Sequence, residues 1–391
     1  MAAKHGTAMT PLALLERLVS FDTESARSNL DLIAFVERYL ADLGVTSVRV
    51  PNETGDKTAL FATIGPTDRG GIVLSGHTDV VPVAGQAWTS DPFTLRVGDG
   101  KAYGRGAVDM KAFAAIALSL VPEMQAAALK TPIHIMLSYD EELTCLGVVD
   151  TIRRMGVDLP RPQAVIVGEP TELQVADAHK SVVTFNTYVH GYEAHSAKPE
   201  LGSNAVFAAG WLLQELDRLS DVYREKGDPT GRFDPPYSSV HVGTVNGGTA
   251  RNILPKICHF QWEVRGVPGT DEEEVARMLQ DYAQRVVVPR LTRWGWPGSV
   301  ETLLEVAVPG LAPDPGSAAE TLALRLAGRN QTMTVPYGTE AGHFQRNGLP
   351  TVVCGPGSIN QAHQPDEYIT LDEIERGVGF IRRLIANCAA Q

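Results

Sequence analysis

A stretch in the first third of the chain carries side chains that could bind a metal. His77 and Asp79 follow the apolar run 71–74, and Asp109 follows the glycine-rich segment 104–106. The apolar run predicts a buried parallel strand, and open α/β sheets place their ligand sites at the carboxyl ends of such strands. Alternate side chains of an extended segment share a face, so the Asp79 carboxylate could orient the His77 imidazole for metal binding. The alternative is an ordinary hydrogen-bonded pair, with Asp109 as a helix N-cap.

More potential metal ligands end predicted strands or turns elsewhere in the chain. Together the candidates are His77, Asp109, Glu142, Glu169 and His363. Two imidazoles and three carboxylates suit zinc, cobalt or manganese, and one aspartate can bridge two ions. Cysteine is absent from this set, which excludes a structural zinc finger. The set therefore predicts a site for two divalent metal ions.

Two adjacent acidic residues, Glu141 and Glu142, follow the predicted buried strand 132–138. Buried like charges are costly unless each has a task. One carboxylate can bind metal, while the other takes a proton from an activated water and passes it to a leaving amine. A solvated turn is the alternative, but the end of a buried strand is a poor position for an idle acidic pair. The pair therefore indicates metal-assisted hydrolysis.

Composition limits the class of protein. With 391 residues the chain exceeds one typical core, which favours two domains. A formal net charge of −12 without a basic run argues against nucleic acid and anionic membranes as partners. We find neither an apolar run near membrane-span length nor an evident signal peptide. The four cysteines are scattered, as free thiols in a reducing cytoplasm would be.

The elements that position these residues alternate between strands and helices. This alternation predicts an α/β catalytic domain with a mainly parallel sheet. The strands are predicted at 46–50, 58–64, 71–76, 132–138, 164–167 and 351–353, and the helices at 11–20, 29–43, 110–121, 147–155, 317–327 and 372–387.

The pattern changes near residue 181. Strands at 181–191, 239–244, 257–267 and 302–308, with helices at 203–219 and 271–287, give the order βαββαβ, a ferredoxin-like layout. We therefore predict that residues 1–180 and 312–391 form the metal-binding catalytic domain. Residues 181–311 are predicted to be an inserted lid and dimerisation domain.

Seven motifs occur in a recognisable order. They are GHTDVVP, YGRGAVDMK, a DEE triplet, GEPT, GYEAHSAKP, GGTARNILP and AHQPDE. Over nearly its full length, the chain resembles the dinuclear-zinc aminoacylase and carboxypeptidase superfamily. Within it, the segment GPGSINQAHQPDEY is most similar to the bacterial acetylornithine deacetylase subfamily.

The resemblance implies a role for each matching residue. His77 and Glu169 would hold one metal, Glu142 and His363 the other, Asp109 would bridge them, Asp79 would orient His77, and Glu141 would be the general acid/base. The superfamily usually has a cis peptide after the bridging aspartate, here between Asp109 and Met110.

The resemblance also implies substrate contacts. His195 would reach a partner subunit's site and polarise the scissile carbonyl, while Asn252 and Arg265 would bind the substrate carboxylate. Arginine suits this role because its fork meets a carboxylate with two hydrogen bonds, although Arg265 could instead pair with an acidic neighbour. Thr339 and Glu340 would line the substrate site.

The expected function is hydrolysis of N2-acetyl-L-ornithine to L-ornithine and acetate in arginine biosynthesis. The expected enzyme is a cytoplasmic homodimer with two divalent ions, zinc first, with cobalt or manganese as alternatives. Rival substrates are acetylcitrulline, succinyl-diaminopimelate, other N-acyl amino acids and dipeptides. A non-catalytic binding protein is disfavoured by the intact Glu141. A two-metal phosphodiesterase is disfavoured by the acidic charge.

Overall fold

The computed structural model describes residues 8–390, so part of the N-terminal segment to which the signal-peptide prediction refers lies outside the described residues. These residues form two compact units. The larger unit comprises the described parts of Met1–Ala178, Pro313–Met333 and Thr339–Gln391, and the smaller unit comprises His179–Ala312 and Thr334–Gly338. Between residues 8 and 390, no helix is long and apolar enough to cross a membrane.

An eight-stranded sheet lies mainly in the larger unit. Its strands are β1 (Ser47–Pro51), β2 (Thr58–Ile64), β3 (Ile72–His77), β6 (Ile133–Ser138), β7 (Ala164–Pro170), β8 (Val175–His179), β13 (Thr332–Val335) and β14 (Thr351–Gly355), in the order β1-β2-β6-β3-β7-β14-β8-β13. A separate three-stranded sheet contains β4 (Arg96–Gly98), β5 (Lys101–Tyr103) and β15 (Tyr368–Thr370). The helices of this unit are α1 (Pro11–Val19), α2 (Leu30–Asp42), α3 (Ala112–Ser119), α4 (Val121–Ala126), α5 (Val149–Arg154), α9 (Ala318–Ala327), α10 (Ala341–Arg346) and α11 (Leu371–Ala390).

The four central strands, β6, β3, β7 and β14, pair in parallel. Every residue of each is buried, as expected for parallel strands covered on both faces. Antiparallel strands occupy the margins of the sheet. The parallel strands bring their carboxyl ends to one edge, and the predicted α/β fold class is confirmed.

The chain around Asp109 departs from the prediction of one helix over 110–121. A kinked turn, Ala107–Lys111, precedes α3, and α4 begins as a separate helix with Pro122 in its first turn. Asp109 and Met110 have non-helical dihedral angles, and the peptide bond between them is cis, as the resemblance implied. The sequence did not predict these breaks, because an apolar, Ala-rich composition favours a continuous helix.

The smaller unit contains a four-stranded antiparallel sheet. Its elements are β9 (Val182–His190), α6 (Ala205–Lys226), β10 (Ser239–Gly247), β11 (Ile257–Arg265), α7 (Glu272–Tyr282), α8 (Val288–Leu291) and β12 (Ser299–Val308), and the strand order is β10-β11-β9-β12. Alternate residues of β9 and β11 are buried in the core, where the Phe185 and Trp262 rings stack 4.3 Å apart. The intervening residues, among them Tyr188, His259 and Arg265, form what we call the open face.

Candidate active site

The candidate ligands lie at the carboxyl ends of three adjacent strands. His77 is the last residue of β3, Glu169 lies near the end of β7, and Glu141 and Glu142 follow β6. Because β6, β3 and β7 are parallel neighbours, the sheet itself brings these side chains to the same edge. Asp109 joins them from the kinked turn before α3.

Asp109 lies between the two histidines of the set. Its Oδ1 is 3.1 Å from Nε2 of His77, and its Oδ2 is 3.2 Å from Nε2 of His363. The His363 Nε2 is also 3.1 Å from Oε2 of Glu142, and the His77 Nε2 is 3.7 Å from Oε1 of Glu169. The structure therefore brings all five sequence-predicted ligands together, with one Asp109 oxygen facing each histidine.

Burial and repulsion between neighbouring carboxylates shift the pKa values of this cluster. Burial raises the pKa of Glu141 and that of Glu169 well above the usual range, and neighbouring carboxylates add to the effect. Burial opposes the charge of Asp109, but hydrogen bonds with both histidines lower its pKa. Hydrogen bonds with Asp109 and Glu142 raise the pKa of His363 to about 10. Carboxylates gathered this closely need cations among them.

The residues present fit two divalent metal ions. The buried Oε1 of Glu169 has no hydrogen-bond partner among the described residues, which is what a carboxylate reserved for a cation would show. Two groups of donor atoms each lie within 4.8 Å of one another: His77, Glu141 and Glu169, and His77, Asp109 and Glu142. Imidazole and carboxylate donors suit borderline divalent ions.

Two groups of Asp79, its backbone carbonyl and its carboxylate, make contacts in the site. Its backbone carbonyl oxygen lies 2.9 Å from Nδ1 of His77, whereas its carboxylate oxygen is 3.6 Å from that nitrogen. The carboxylate instead accepts hydrogen bonds from the backbone N–H groups of Glu141 and Glu142, each at 3.2 Å, and from the Ser25 hydroxyl at 2.7 Å. The carboxylate thus holds the turn that carries the acidic pair.

Sequence reasoning missed the other residues that fix this turn. Lys57 pairs with the carboxylate of Asp140 and donates to the Ser25 carbonyl at 2.6 Å. At the far end of the turn, the Cys145 thiol lies 3.4 Å from Oε1 of Glu141. None of these residues repeats with a helical or strand period, so only the proximity of Asp140 and Cys145 to the acidic pair could have drawn attention to them.

The two residues proposed to line the substrate site have partners inside the larger unit. Glu340 is buried and accepts hydrogen bonds from the hydroxyls of Ser75 and Ser138. Thr339 accepts one from the Ala341 backbone N–H at 3.1 Å. Both side chains therefore also support the fold locally.

In the smaller unit, His195 and Asn252 lie close together. The Asn252 carbonyl accepts a hydrogen bond from the Ser196 backbone at 3.0 Å. His195 is exposed, and its Nδ1 accepts a hydrogen bond from the Ala197 backbone N–H at 3.0 Å. In a neutral ring this leaves the proton on Nε2, where it can be donated to a substrate oxygen.

Arg265 lies on the open face and has an acidic partner. Its Nε is 3.0 Å from Oε1 of Glu263, which is two residues earlier on the same strand. This is the kind of pairing that the sequence offered as the alternative to carboxylate binding.

Known proteins resemble this chain over most of its length. Residues 73–387 match the family described as peptidase family M20/M25/M40. An acetylornithine deacetylase of Pasteurella multocida is 34% identical over 94% of this chain and 93% of its own length, and one of Shigella sonnei is 36% identical over 89% and 88%.

Solved structures share the fold at low identity. Aminopeptidase PepT of Bacillus cereus has a TM-score of 0.74 at 17% identity and covers 97% of this chain and 98% of its own. A dinuclear metal-binding peptidase of Bacillus subtilis, YXEP, has a TM-score of 0.66 at 17% identity over 96% and 97%. The predicted superfamily and hydrolase class are confirmed, because the chain belongs to peptidase family M20/M25/M40.

Proposed function

We propose that the chain hydrolyses N2-acetyl-L-ornithine to L-ornithine and acetate in arginine biosynthesis, with two zinc ions. The names of the two relatives reported above support the substrate. The observation that carries the chemistry is the placement of Asp109 between His77 and His363, with Glu141 on the adjacent turn. His77 and Glu169 would hold one ion, Glu142 and His363 the other, and Asp109 would contact both.

The chain's own residues would manage the proton. When bound, the ions supply Lewis-acid activation of water and of the acyl carbonyl. Glu141 receives the proton of the attacking water and returns it to the departing amine. Burial raises the pKa of Glu141, which suits a group that must hold a proton between two steps. His195 would donate from Nε2 to the oxyanion.

Residues of the smaller unit would recognise the amino-acid part of the substrate. Arg265 would bind the α-carboxylate through its guanidinium fork, with help from Asn252. The Arg265 side chain is about one-third exposed and lies on the open face, so its pairing with Glu263 can yield to a ligand. We also propose Thr339 and Glu340 as part of the wall of the substrate site.

We propose a cytoplasmic homodimer in which His195 completes the partner subunit's site. β10 is an edge strand, and Val245 on it and Phe207 on α6 are exposed. An edge strand with exposed apolar neighbours is suited to pairing with a second copy. The four buried free thiols support a reducing compartment.

A hydrolysis panel tests the substrate. Purified enzyme loaded with zinc is assayed on acetylornithine, acetylcitrulline, succinyl-diaminopimelate, several acetyl amino acids and dipeptides. We expect the highest kcat/KM for acetylornithine. A higher value for any other member would replace the substrate, and no hydrolysis at all would reject the proposed activity.

Subunit mixing tests the dimer. One inactive chain carries Glu141→Ala and the other His195→Ala, and the two are allowed to exchange at random. Half of the dimers are then mixed, and if His195 acts across the dimer each of these has one intact site. Roughly a quarter of wild-type activity should return. No recovery after confirmed exchange would show that His195 acts within its own subunit.

A further inference from the structure

The loop that carries His363 is tied to the rest of the larger unit by a buried network outside the ligand set. Arg105 and Glu367 form its centre. Both side chains are only 1% exposed, and Nη1 of Arg105 is 2.7 Å from Oε2 of Glu367. Each charge compensates the other, because removing one partner of such a buried ion pair leaves an uncompensated charge.

Glu367 connects this pair to the turn that carries Asp109. Its Oε1 accepts hydrogen bonds from the backbone N–H groups of Val108 at 2.9 Å and Asp109 at 3.2 Å. Its backbone carbonyl accepts a third from Gly104 at 2.9 Å. Because Glu367 is four residues from His363, one short segment carries the exposed histidine and also contacts the backbone of Asp109, the bridging residue.

Gln86 closes the network on the other side of Arg105. Its Oε1 accepts hydrogen bonds from Nη2 of Arg105 and from the Trp88 indole, and its Nε2 donates to the His363 backbone carbonyl at 2.9 Å. The Arg105 guanidinium also lies 5.0 Å from the centre of the Trp88 ring. Gln86 therefore links the buried ion pair to the His363 carbonyl, and Nη1 of Arg105 also donates to the carbonyl of the next residue, Gln364, at 3.4 Å.

His363 needs such support. Its side chain is half exposed and its backbone has φ of 62°, in a region that non-glycine residues rarely adopt. No strand of the eight-stranded sheet carries it. Hydrogen bonds from outside the ligand set commonly fix the orientation of metal-binding groups.

We propose that Gln86, Arg105 and Glu367 are positioning residues that hold His363 and Asp109 at the spacing required by the Glu142–His363 metal position. This inference rests on the two-metal site of the proposed function. It implies that the contact of Gln86 with the His363 carbonyl acts on the Glu142–His363 position alone, because His77 and Glu169 are carried by β3 and β7.

The substitution Gln86→Glu separates the two ends of the link. Glutamate keeps an oxygen acceptor for Arg105 and loses the donor to the His363 carbonyl. Gln86 is only partly buried, so the folded state should tolerate the change. Gln364→Leu is a matched control, since the Gln364 side chain donates to the Asn360 carbonyl within the same loop.

The measurement is calorimetric titration of zinc into the metal-free protein, with metal content checked by mass spectrometry. Wild type and Gln364→Leu should bind two ions per chain. Gln86→Glu should bind one ion as before and the second about 10–100-fold more weakly, the usual effect of losing a supporting hydrogen bond. Equal weakening of both ions, or of neither, overturns the inference.

A double-mutant cycle assigns the affected ion. In a His363→Ala background, Gln86→Glu should cause no further loss, because both changes act on the same position. Additive losses would contradict the inference. A wild-type protein that binds fewer than two ions would instead reject the two-metal site, so the two failures can be told apart.

Discussion

The two proposed metal positions are built in different ways. His77 and Glu169 end neighbouring parallel strands, and the His77 side chain is 0% exposed. Glu142 and His363 lie on loops, and the His363 side chain is 52% exposed. The first position obtains its geometry from sheet hydrogen bonds, whereas the second depends on contacts between loops. We call them the inner and outer positions, with Asp109 common to both.

This difference teaches where the precision of the site comes from. Paired strands fix backbone positions cooperatively, so a ligand at a strand end needs little further support. A ligand on a loop must be held by named side chains, as Asp79 holds the turn of Glu142 and Gln86 holds the carbonyl of His363. The inner position should therefore survive changes that abolish the outer one.

The largest expected effect is loss of the proton carrier between the two positions. Glu141→Gln should lower kcat by about 10²–10⁴-fold, since positioned proton transfer supplies that much, while two ions remain bound. Activity and metal content are measured on the same sample. The neighbouring change, Glu142→Gln, should instead weaken metal binding. If Glu141 proved necessary for metal and Glu142 did not, the two roles would have to be exchanged.

Removing His363, the histidine of the outer position, directly tests the difference between the two positions. His363→Ala should weaken one ion by more than about 100-fold, because binding free energies of about 10–16 kcal/mol would be shared by three protein ligands, and the other ion should stay. His77→Ala should weaken both ions, since His77 belongs to both groups of neighbouring donor atoms. Titration with zinc measures both. Retention of two tight ions in His363→Ala would remove that residue from the ligand set.

The dependence of stability on pH tests the sheet that carries the inner position. His134 on β6 is fully buried, which lowers its pKa from 6.5 to about 4. The unfolded chain therefore takes up the proton first, and the stability provided by the neutral ring is complete above pH 6.5 and is lost as the pH falls toward 4.

Between pH 7 and pH 5, the free energy of unfolding of wild type should fall. The fall for His134→Gln should be smaller by about 2 kcal/mol. Denaturant unfolding at both pH values, in the same metal state, provides the measurement. Identical losses in the two proteins would show that His134 takes up its proton in the folded state.

The smallest effect concerns Ser25, which donates to Asp79 behind the Glu141 turn. Ser25→Ala should lower kcat about tenfold, because the buried carboxylate loses one donor, with both ions retained. Ser25→Thr keeps the hydroxyl and should restore most of the rate. A loss of metal with unchanged kcat would assign Ser25 to the metal positions instead.

The inner position was the more predictable from sequence. Buried apolar runs ending in His77 and Glu169 indicate strands, and parallel strands share an edge. The single helix predicted after Asp109 was wrong because local composition does not show a kink. β8 and β13 went unrecognised, since short strands give little periodic signal.

The supports of the outer position depend on pairs that are distant in sequence. Arg105 and Glu367 are separated by 262 positions, and a single sequence shows no periodicity across such a distance. Both residues lie in the quoted motifs YGRGAVDMK and AHQPDE, which was the available signal. Their contact itself could be found only in the folded structure.

The open face of the smaller unit has a consequence for how this protein can evolve. Its side chains are not packed in the core, and a replaced surface residue usually changes stability by no more than about 0.5 kcal/mol. Mutations around Arg265 can therefore accumulate without loss of folding. The strand-end ligands lack that freedom, because a changed residue there disturbs buried charges. Substitutions can therefore collect on the open face of related proteins while their buried strand-end residues stay the same.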